Sequence, residues 1–205
     1  MPRASKRDKI LETASKLFIE NGFQGVSVDQ IAAAVPVSKP TLYNHFIDKR
    51  DLFIAVIAVR CAKVLKVLKD GMEEHANLED GLKAFGMQFT ELLMSRQSLQ
   101  LHRLIIGESD SFPDMAKMFY ETGPEQMHIL LTAFLETAPK KPGICIHNPA
   151  FAAEMFISML KGRTHLRHIL GIEKKQMSEK DRQAFVNHVV NLFLHGHHLH
   201  KKQDA

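Results

Sequence analysis

The chain has 205 residues, of which 45% are hydrophobic and 24% charged, a balance typical of a globular protein with room for two domains. The net charge is +4, and most of it falls within residues 1–50, where eight Lys or Arg stand against five Asp or Glu. A basic N-terminal region on a nearly neutral remainder favours an anionic partner for that region alone.

The same composition argues against several other classes of protein. No apolar segment approaches 18 residues, so no membrane span is predicted, and no apolar segment follows the basic N-terminus, so no signal peptide is predicted. Cys61 and Cys145 are far apart, lie among apolar residues and form no C-x-x-C pair. We therefore expect two buried free thiols and a cytoplasmic protein.

In chain order, three short helices followed by a long one are predicted first. The first covers residues 6–21. The second begins at Ser27, which forms a capping box with the glutamine three residues later, and Pro36 ends it. The third begins at Ser38, and the fourth covers about residues 48–69.

The third helix has one apolar and one polar face. Leu42 and Phe46 are four residues apart and face the core with Val37. The outward side chains can form hydrogen bonds with phosphates and base edges, and the positive N-terminal ends of helices 2 and 4 favour phosphate as well. The predicted DNA-binding residues are Ser27, Ser38, Lys39, Thr41, Tyr43, Asn44, His45 and Lys49.

This region closely resembles the DNA-binding domain of the TetR family. The matching segments are Thr13-Ala14-x-x-Leu17-Phe18-x-x-x-Gly22-Phe23, Ser27-Val28-x-x-Ile31-Ala32, Val37-Ser38-x-x-Thr41-Leu42-Tyr43-x-His45-Phe46 and Lys49-x-x-Leu52. The resemblance implies a domain over residues 1–55 whose third helix enters the major groove of operator DNA. It also implies that Tyr43, His45 and Lys49 contact the DNA backbone, and that Lys39, Thr41 and Asn44 lie near bases.

One residue departs from the family pattern. Pro36 stands in the turn where the family usually has glycine. Because proline excludes the positive φ that glycine allows, we expect a different turn here and a changed angle of the third helix.

The remaining chain also has helical periodicity, which predicts an all-α protein with a larger helical domain over residues 56–205. Further helices are expected at about 78–94, 98–106, 113–137, 149–170 and 178–197, with a kink at Gly123-Pro124 inside the third of these.

This larger domain resembles the effector domain of the AefR-like branch. The matching segments are Leu104-Ile105-Ile106-x-Glu108-x-x-x-Phe112-Pro113, Phe119-Tyr120-x-x-Gly123-Pro124 and Lys161-Gly162-x-x-His165-Leu166. The resemblance implies a repressor of efflux or transport genes. Independently, apolar residues with a few polar anchors predict a pocket for a small apolar or amphipathic effector. Its residues are Phe85, Phe89, Leu93, His102, Arg103, Phe119, Tyr120, Met127, His128 and Phe156.

The last two helices resemble the family's dimerising pair, which implies a homodimer with a four-helix interface. Gly162 would let two helices approach closely. The predicted interface residues are Phe151, Met155, Met159, Gly162, Phe185, Val189, Leu192 and Phe193.

Other functions are disfavoured. Five histidines near the C-terminus lack the order of a metal site, so neither metal nor cofactor is predicted; these are His188, His195, His197, His198 and His200. No catalytic motif is present, which argues against an enzyme. The alternatives left open are a regulator that activates or needs a co-repressor, and a helical interaction protein with a vestigial DNA-binding head.

Overall fold

A computed structural model describes residues 5–197, so His198 and His200 lie outside the described residues. Within that range the chain is all-α, as predicted. Its ten helices are α1 Lys6–Asn21, α2 Val28–Ala34, α3 Lys39–Tyr43, α4 Lys49–Glu73, α5 Leu78–Met94, α6 Arg96–Glu108, α7 Pro113–Thr122, α8 Pro124–Thr137, α9 Pro149–Ile169 and α10 Glu179–Gly196. The helix predicted over 113–137 is interrupted at Gly123 alone, so that no loop separates α7 from α8.

The chain divides into two compact units. The first unit extends to Lys63 and includes Gln100–Pro124, and the second comprises Val64–Leu99 with the chain from Glu125 onward. Helix α4 contributes residues to both units. The domain boundary predicted between residues 55 and 56 falls inside this helix.

The core of the first unit is built on aromatic rings. The Phe18 and Phe53 rings meet edge to face with centroids 5.0 Å apart, and Phe23 lies 5.1 Å from Phe53. Phe112, which precedes α7, packs edge to face on Phe23 at 5.1 Å. Burial of each such ring stabilises the fold by about 1.5–3 kcal/mol, so the segment after α6 is part of this core.

The core of the second unit joins α5, α9 and α10. The Phe156 ring lies 6.2 Å from Phe85 and 5.0 Å from Phe193, and all three side chains are buried. Glycine permits close helix packing here, because a Cβ on Gly86 would lie 2.7 Å from a methyl group of Val186.

Helix α9 is interrupted at Gly162, whose φ of 47° and ψ of −161° are not helical. A Cβ at this position would meet no atom within 4 Å. Within the chain, the glycine therefore serves the break in the backbone, and its expected role in a close helix approach at the dimer interface stays a prediction.

The expectation that Pro36 avoids a positive φ is wrong, because its φ is +24°. The reason lies in the helix cap: the Val37 N–H donates to the Ala32 carbonyl at 3.1 Å, which is the longer hydrogen bond of a Schellman motif. This bond requires the chain to reverse at residue 36. The shorter bond of the motif is missing because proline has no N–H.

Both cysteines are free thiols. Cys61 is buried as predicted, and burial raises its pKa, whereas Cys145 in the loop after α8 is only half-buried. None of the helices in residues 5–197 combines the length and apolarity that a membrane crossing requires.

Candidate functional site

Side-chain caps hold α2 and α3 in place. The Ser27 hydroxyl accepts from the Gln30 N–H at 3.2 Å, and the Gln30 carboxamide accepts from the Ser27 N–H at 2.7 Å. The Ser38 hydroxyl accepts from the Thr41 N–H at 3.2 Å and lies 2.8 Å from the Thr41 hydroxyl. These polar groups therefore have internal partners that fix the ends of both helices.

The inner face of the α3 region is anchored in the first unit. Leu42 is fully buried and Phe46 is 2% exposed. The Arg7 guanidinium lies 5.3 Å from the centre of the Phe46 ring, a cation–π contact that the sequence did not reveal. Because the inner face is fixed, the orientation of the outer face follows.

The outer face presents Tyr43, Asn44 and His45, all exposed. The side chains of Tyr43 and Asn44 make no hydrogen bond within residues 5–197, so both are available to an external partner. Lys39 is also exposed, but its ammonium group lies 2.5 Å from the Asp29 carboxylate.

Lys49 has an internal role that sequence reasoning missed. Its ammonium group donates to the carbonyls of Phe23 and Val26, each at 3.0 Å, and lies 4.5 Å from the centre of the Phe23 ring. Two of its three N–H groups therefore fix the loop between α1 and α2, which leaves one for a phosphate.

The start of α4 differs from the expectation of a phosphate-binding helix end. The Asp48 carboxylate accepts from the Asp51 N–H at 2.7 Å, and Asp51 accepts from the Ile47 N–H at 2.9 Å. Two carboxylates thus cap the first turn and oppose an anion at that end. Ile47 itself is 85% exposed.

Six of the predicted pocket residues lie in the second unit. Five are buried in its core, where the Phe85 and Phe89 rings stack at 5.5 Å; these five are Phe85, Phe89, Leu93, Met127 and Phe156. The sixth, His128, has its Nε2 2.8 Å from the Ala150 carbonyl.

The other four predicted pocket residues belong to the first unit. His102 meets the Phe119 ring edge to face at 5.5 Å. Arg103 and Tyr120 are exposed, with 57% of Tyr120 accessible. The ten residues are therefore divided between the two compact units.

The predicted dimer residues separate into an exposed and an internal group. Phe151, Met155 and Leu192 are exposed by 60%, 46% and 58%. Met159 and Phe185 are half-buried and pack against the core of the second unit.

The predicted interface is corrected at Val189 and Phe193, whose side chains are buried in the chain's own core. Their helical spacing places them on the inward stripe of α10 with Val186. Sequence reasoning missed three exposed apolar residues that follow in α9 and the turn after it, namely Leu166, Leu170 and Ile172.

A short helix pair with capped ends, a buried inner face and an outward polar face defines a helix-turn-helix protein. The family model for bacterial regulatory proteins of the TetR family matches residues 10–56. The model for the C-terminal domain of AefR-like transcriptional repressors matches residues 80–197. The chain therefore belongs to the TetR family of transcriptional regulators, with an AefR-like C-terminal domain, and is not an enzyme.

Individual relatives agree with this assignment. The transcriptional activator FasR of Mycolicibacterium smegmatis is 29% identical over 105 residues, which span 51% of this chain and 47% of that protein, about half of each. The crystal structure of a TetR-family regulator from Mesorhizobium loti is 25% identical with a TM-score of 0.84, covering 95% of this chain and 97% of that one. The flavonoid-responsive regulator FrrA is 30% identical with a TM-score of 0.77, covering 96% and 98%.

Proposed function

We propose that the protein is a cytoplasmic, homodimeric repressor that binds operator DNA through α3 and is released by a small amphipathic effector. The observation that carries this proposal is the outward face of α3, where Tyr43 and Asn44 have free polar groups above a packed inner face. Family membership supports it, since the matching C-terminal model describes transcriptional repressors.

The contacts of each side chain suggest its role at the operator. Lys39 and Thr41 already have polar partners within the chain, whereas Asn44 has none among the described residues. A free carboxamide can pair with both the N6 and N7 groups of adenine. Asn44 is therefore the principal base reader in our proposal, and Tyr43, His45 and the remaining N–H of Lys49 hold the phosphate backbone.

The test begins with an operator selected by the purified protein from a random duplex library. Asn44→Ala should weaken operator binding about tenfold or more, relax specificity at one base pair and leave binding to scrambled duplex unchanged. Tyr43→Phe should weaken binding to the operator and to the scrambled duplex by about the same factor, because it removes a contact with the DNA backbone.

Gln183→Ala on α10 is the control and should change neither affinity. If the library yields no preferred sequence, or if both α3 variants bind like wild type, α3 is not the reading helix. The absence of salt-dependent binding to any duplex would favour the interaction protein with a vestigial head.

The proposed dimer interface consists of the exposed apolar residues of α9 and its C-cap, with part of α10. Phe151 and Met155 are exposed on α9 before its break at Gly162, Leu166 is exposed after the break, and Leu170 is exposed at the C-cap. Leu192 is exposed on α10. Several large apolar side chains exposed on these two helices favour an interaction site there. A two-fold dimer also suits paired operator half-sites, and dimers are typical of this family.

For the effector, we propose an aromatic amphipathic molecule of the flavonoid type, because FrrA is flavonoid-responsive and is similar over nearly the whole chain. Control of efflux or transport genes is proposed from the AefR-like domain. Helix α4 begins next to α3 and continues into the second unit, so a pivot of α4 can transmit effector binding to the head.

Release of DNA requires reciprocal coupling. A hundredfold loss of operator affinity corresponds to about 2.7 kcal/mol, and saturating operator must then weaken effector binding by the same factor. Calorimetry of a bound flavonoid with and without operator measures this factor. Equal affinities would exclude the release mechanism, and tighter effector binding on operator would establish the co-repressor or activator alternative, which the activator FasR supports.

A further inference from the structure

Gln88 of α5 is a polar residue that the sequence did not single out. Its carboxamide lies against Gly71 of α4, where it occupies the space of a side chain: a Cβ added to Gly71 would overlap both amide heteroatoms and lie 2.6 Å from Cδ. The Gln88 Oε1 atom is buried and has no hydrogen-bond partner within the described residues. Glycine at position 71 and the amide at position 88 therefore fit each other.

An unpaired buried amide is unfavourable, because it loses its hydrogen bonds to water without replacement. Thr90, two residues further along α5, shows the usual solution: its buried hydroxyl donates to the Gly86 carbonyl at 2.7 Å. A leucine would fill the site of Gln88 without leaving a polar atom unpaired. The retained amide thus points to a partner that comes from outside the chain.

The surroundings of Gln88 indicate the chemistry of that partner. Phe85 and Phe89 flank it along α5 and stack on each other, and both are predicted pocket residues of the second unit. The unpaired Oε1 requires a hydrogen-bond donor, and a phenolic hydroxyl of the proposed aromatic effector would supply one.

We propose that Gln88 is the polar anchor of the effector pocket and that Gly71 keeps the space for it. The inference rests on the proposed effector function and specifies its chemistry, a hydroxylated aromatic ring. Because Gly71 belongs to α4, a ligand held by Gln88 lies beside the helix that begins next to the DNA-reading helix.

The decisive variant is Gln88→Leu, which removes the amide and keeps most of the volume. Without ligand, its thermal midpoint should rise by about 3 °C, since an unpaired polar group is removed. In calorimetry, its affinity for 5,7-dihydroxyflavone should fall at least about tenfold, whereas its affinity for unsubstituted flavone should change less than about twofold.

Two further variants separate binding from stability. Thr132→Val on α8 removes another buried hydroxyl that lacks a partner in the described chain, so the midpoint should rise while both flavone affinities stay unchanged. Gly71→Ala keeps Gln88 but places a methyl group where its amide lies, and should reduce dihydroxyflavone affinity as Gln88→Leu does.

Three results would overturn the inference. They are a lower midpoint for Gln88→Leu, an equal loss of affinity for both flavones, and a wild-type chain that binds neither. If dihydroxyflavone still releases Gln88→Leu from the operator as it does wild type, Gln88 is not the anchor although the proposed function stands. If the wild type binds no operator, the proposed function itself fails.

Discussion

The polar residues to which we assign a function are exposed in the α3 region and buried in α5. On α3 the inner positions are apolar and the outer ones, such as Tyr43 and Asn44, carry the polar groups. On α5 the notable polar atom, the amide oxygen of Gln88, is buried. Helical periodicity shows which face is buried, so it reveals a function on the exposed face and misses one inside the core.

The variant with the largest expected effect tests whether the exposed apolar residues of the second unit form the dimer interface. Leu192→Glu would place an unpaired charge in the proposed dimer interface, and should raise the dimer dissociation constant at least about a hundredfold, or about 3 kcal/mol. Sedimentation equilibrium measures it. Ile106→Glu, which changes an equally exposed residue of α6, is the control. A dimer unaffected by Leu192→Glu would place the interface elsewhere.

A smaller effect tests Lys49, which combines an internal role with a proposed external one. Lys49→Met keeps much of the side-chain volume but removes the ammonium group, with its two charge-assisted hydrogen bonds and its contact with the Phe23 ring, so the free energy of unfolding should fall by about 2 kcal/mol. If the third N–H meets a phosphate, the slope of log affinity against log salt should also fall by about one unit. An unchanged slope with reduced stability would make Lys49 purely structural.

The turn between the two helices of the head supplies the next test. Pro36→Gly should raise the free energy of unfolding by about 1.5 kcal/mol, because glycine adopts positive φ without strain and adds the missing N–H. Urea unfolding measures the change. Pro139→Gly, at a proline without positive φ, should instead lower stability through greater freedom of the unfolded chain. A destabilised Pro36→Gly would show that the turn is not strained.

The smallest effect concerns an ion-pair cluster at the start of α5. Lys141 and Lys83 donate to Glu79 at 2.5 and 2.7 Å, and they lower the pKa of Glu79 from 4.5 to about 2. A lowered pKa stabilises the fold above pH 4.5 and loses this effect as the pH falls to about 2. Because the side chain is partly exposed, Glu79→Gln should cost only about 1 kcal/mol at pH 7.

Urea unfolding of wild type and Glu79→Gln across that pH range should converge near pH 2. Glu74→Gln, at an exposed residue directly after α4, is the control and should show no such pH-dependent difference. Parallel curves from pH 7 to pH 2 would contradict the role of the Glu79 charge.

Local patterns predicted the helices and the buried face of α3, because capping boxes and helical stripes act over a few residues. They failed where contacts between residues far apart in the sequence determine the role of a side chain. Nothing near Lys49 in sequence reveals the carbonyls that it binds. The spacing of Val189 and Phe193 likewise does not reveal whether they face the chain's own core, where the structure buries them, or a second copy of the chain. At Pro36, the hydrogen bonding of the helix cap outweighed the intrinsic preference of proline.

The discontinuity of the first unit affects how the protein is made. A ribosome releases the chain from its N-terminus, so residues 64–99 emerge before the segment that carries Phe112 and completes the aromatic cluster around Phe23. Until then the reading head has an unfinished core with exposed aromatic surface, which favours aggregation or chaperone binding. A fragment ending at residue 56 would remain in that state permanently. Exchanging DNA-binding heads between relatives at residue 56 would therefore separate the core of the head from the segment around Phe112 that completes it.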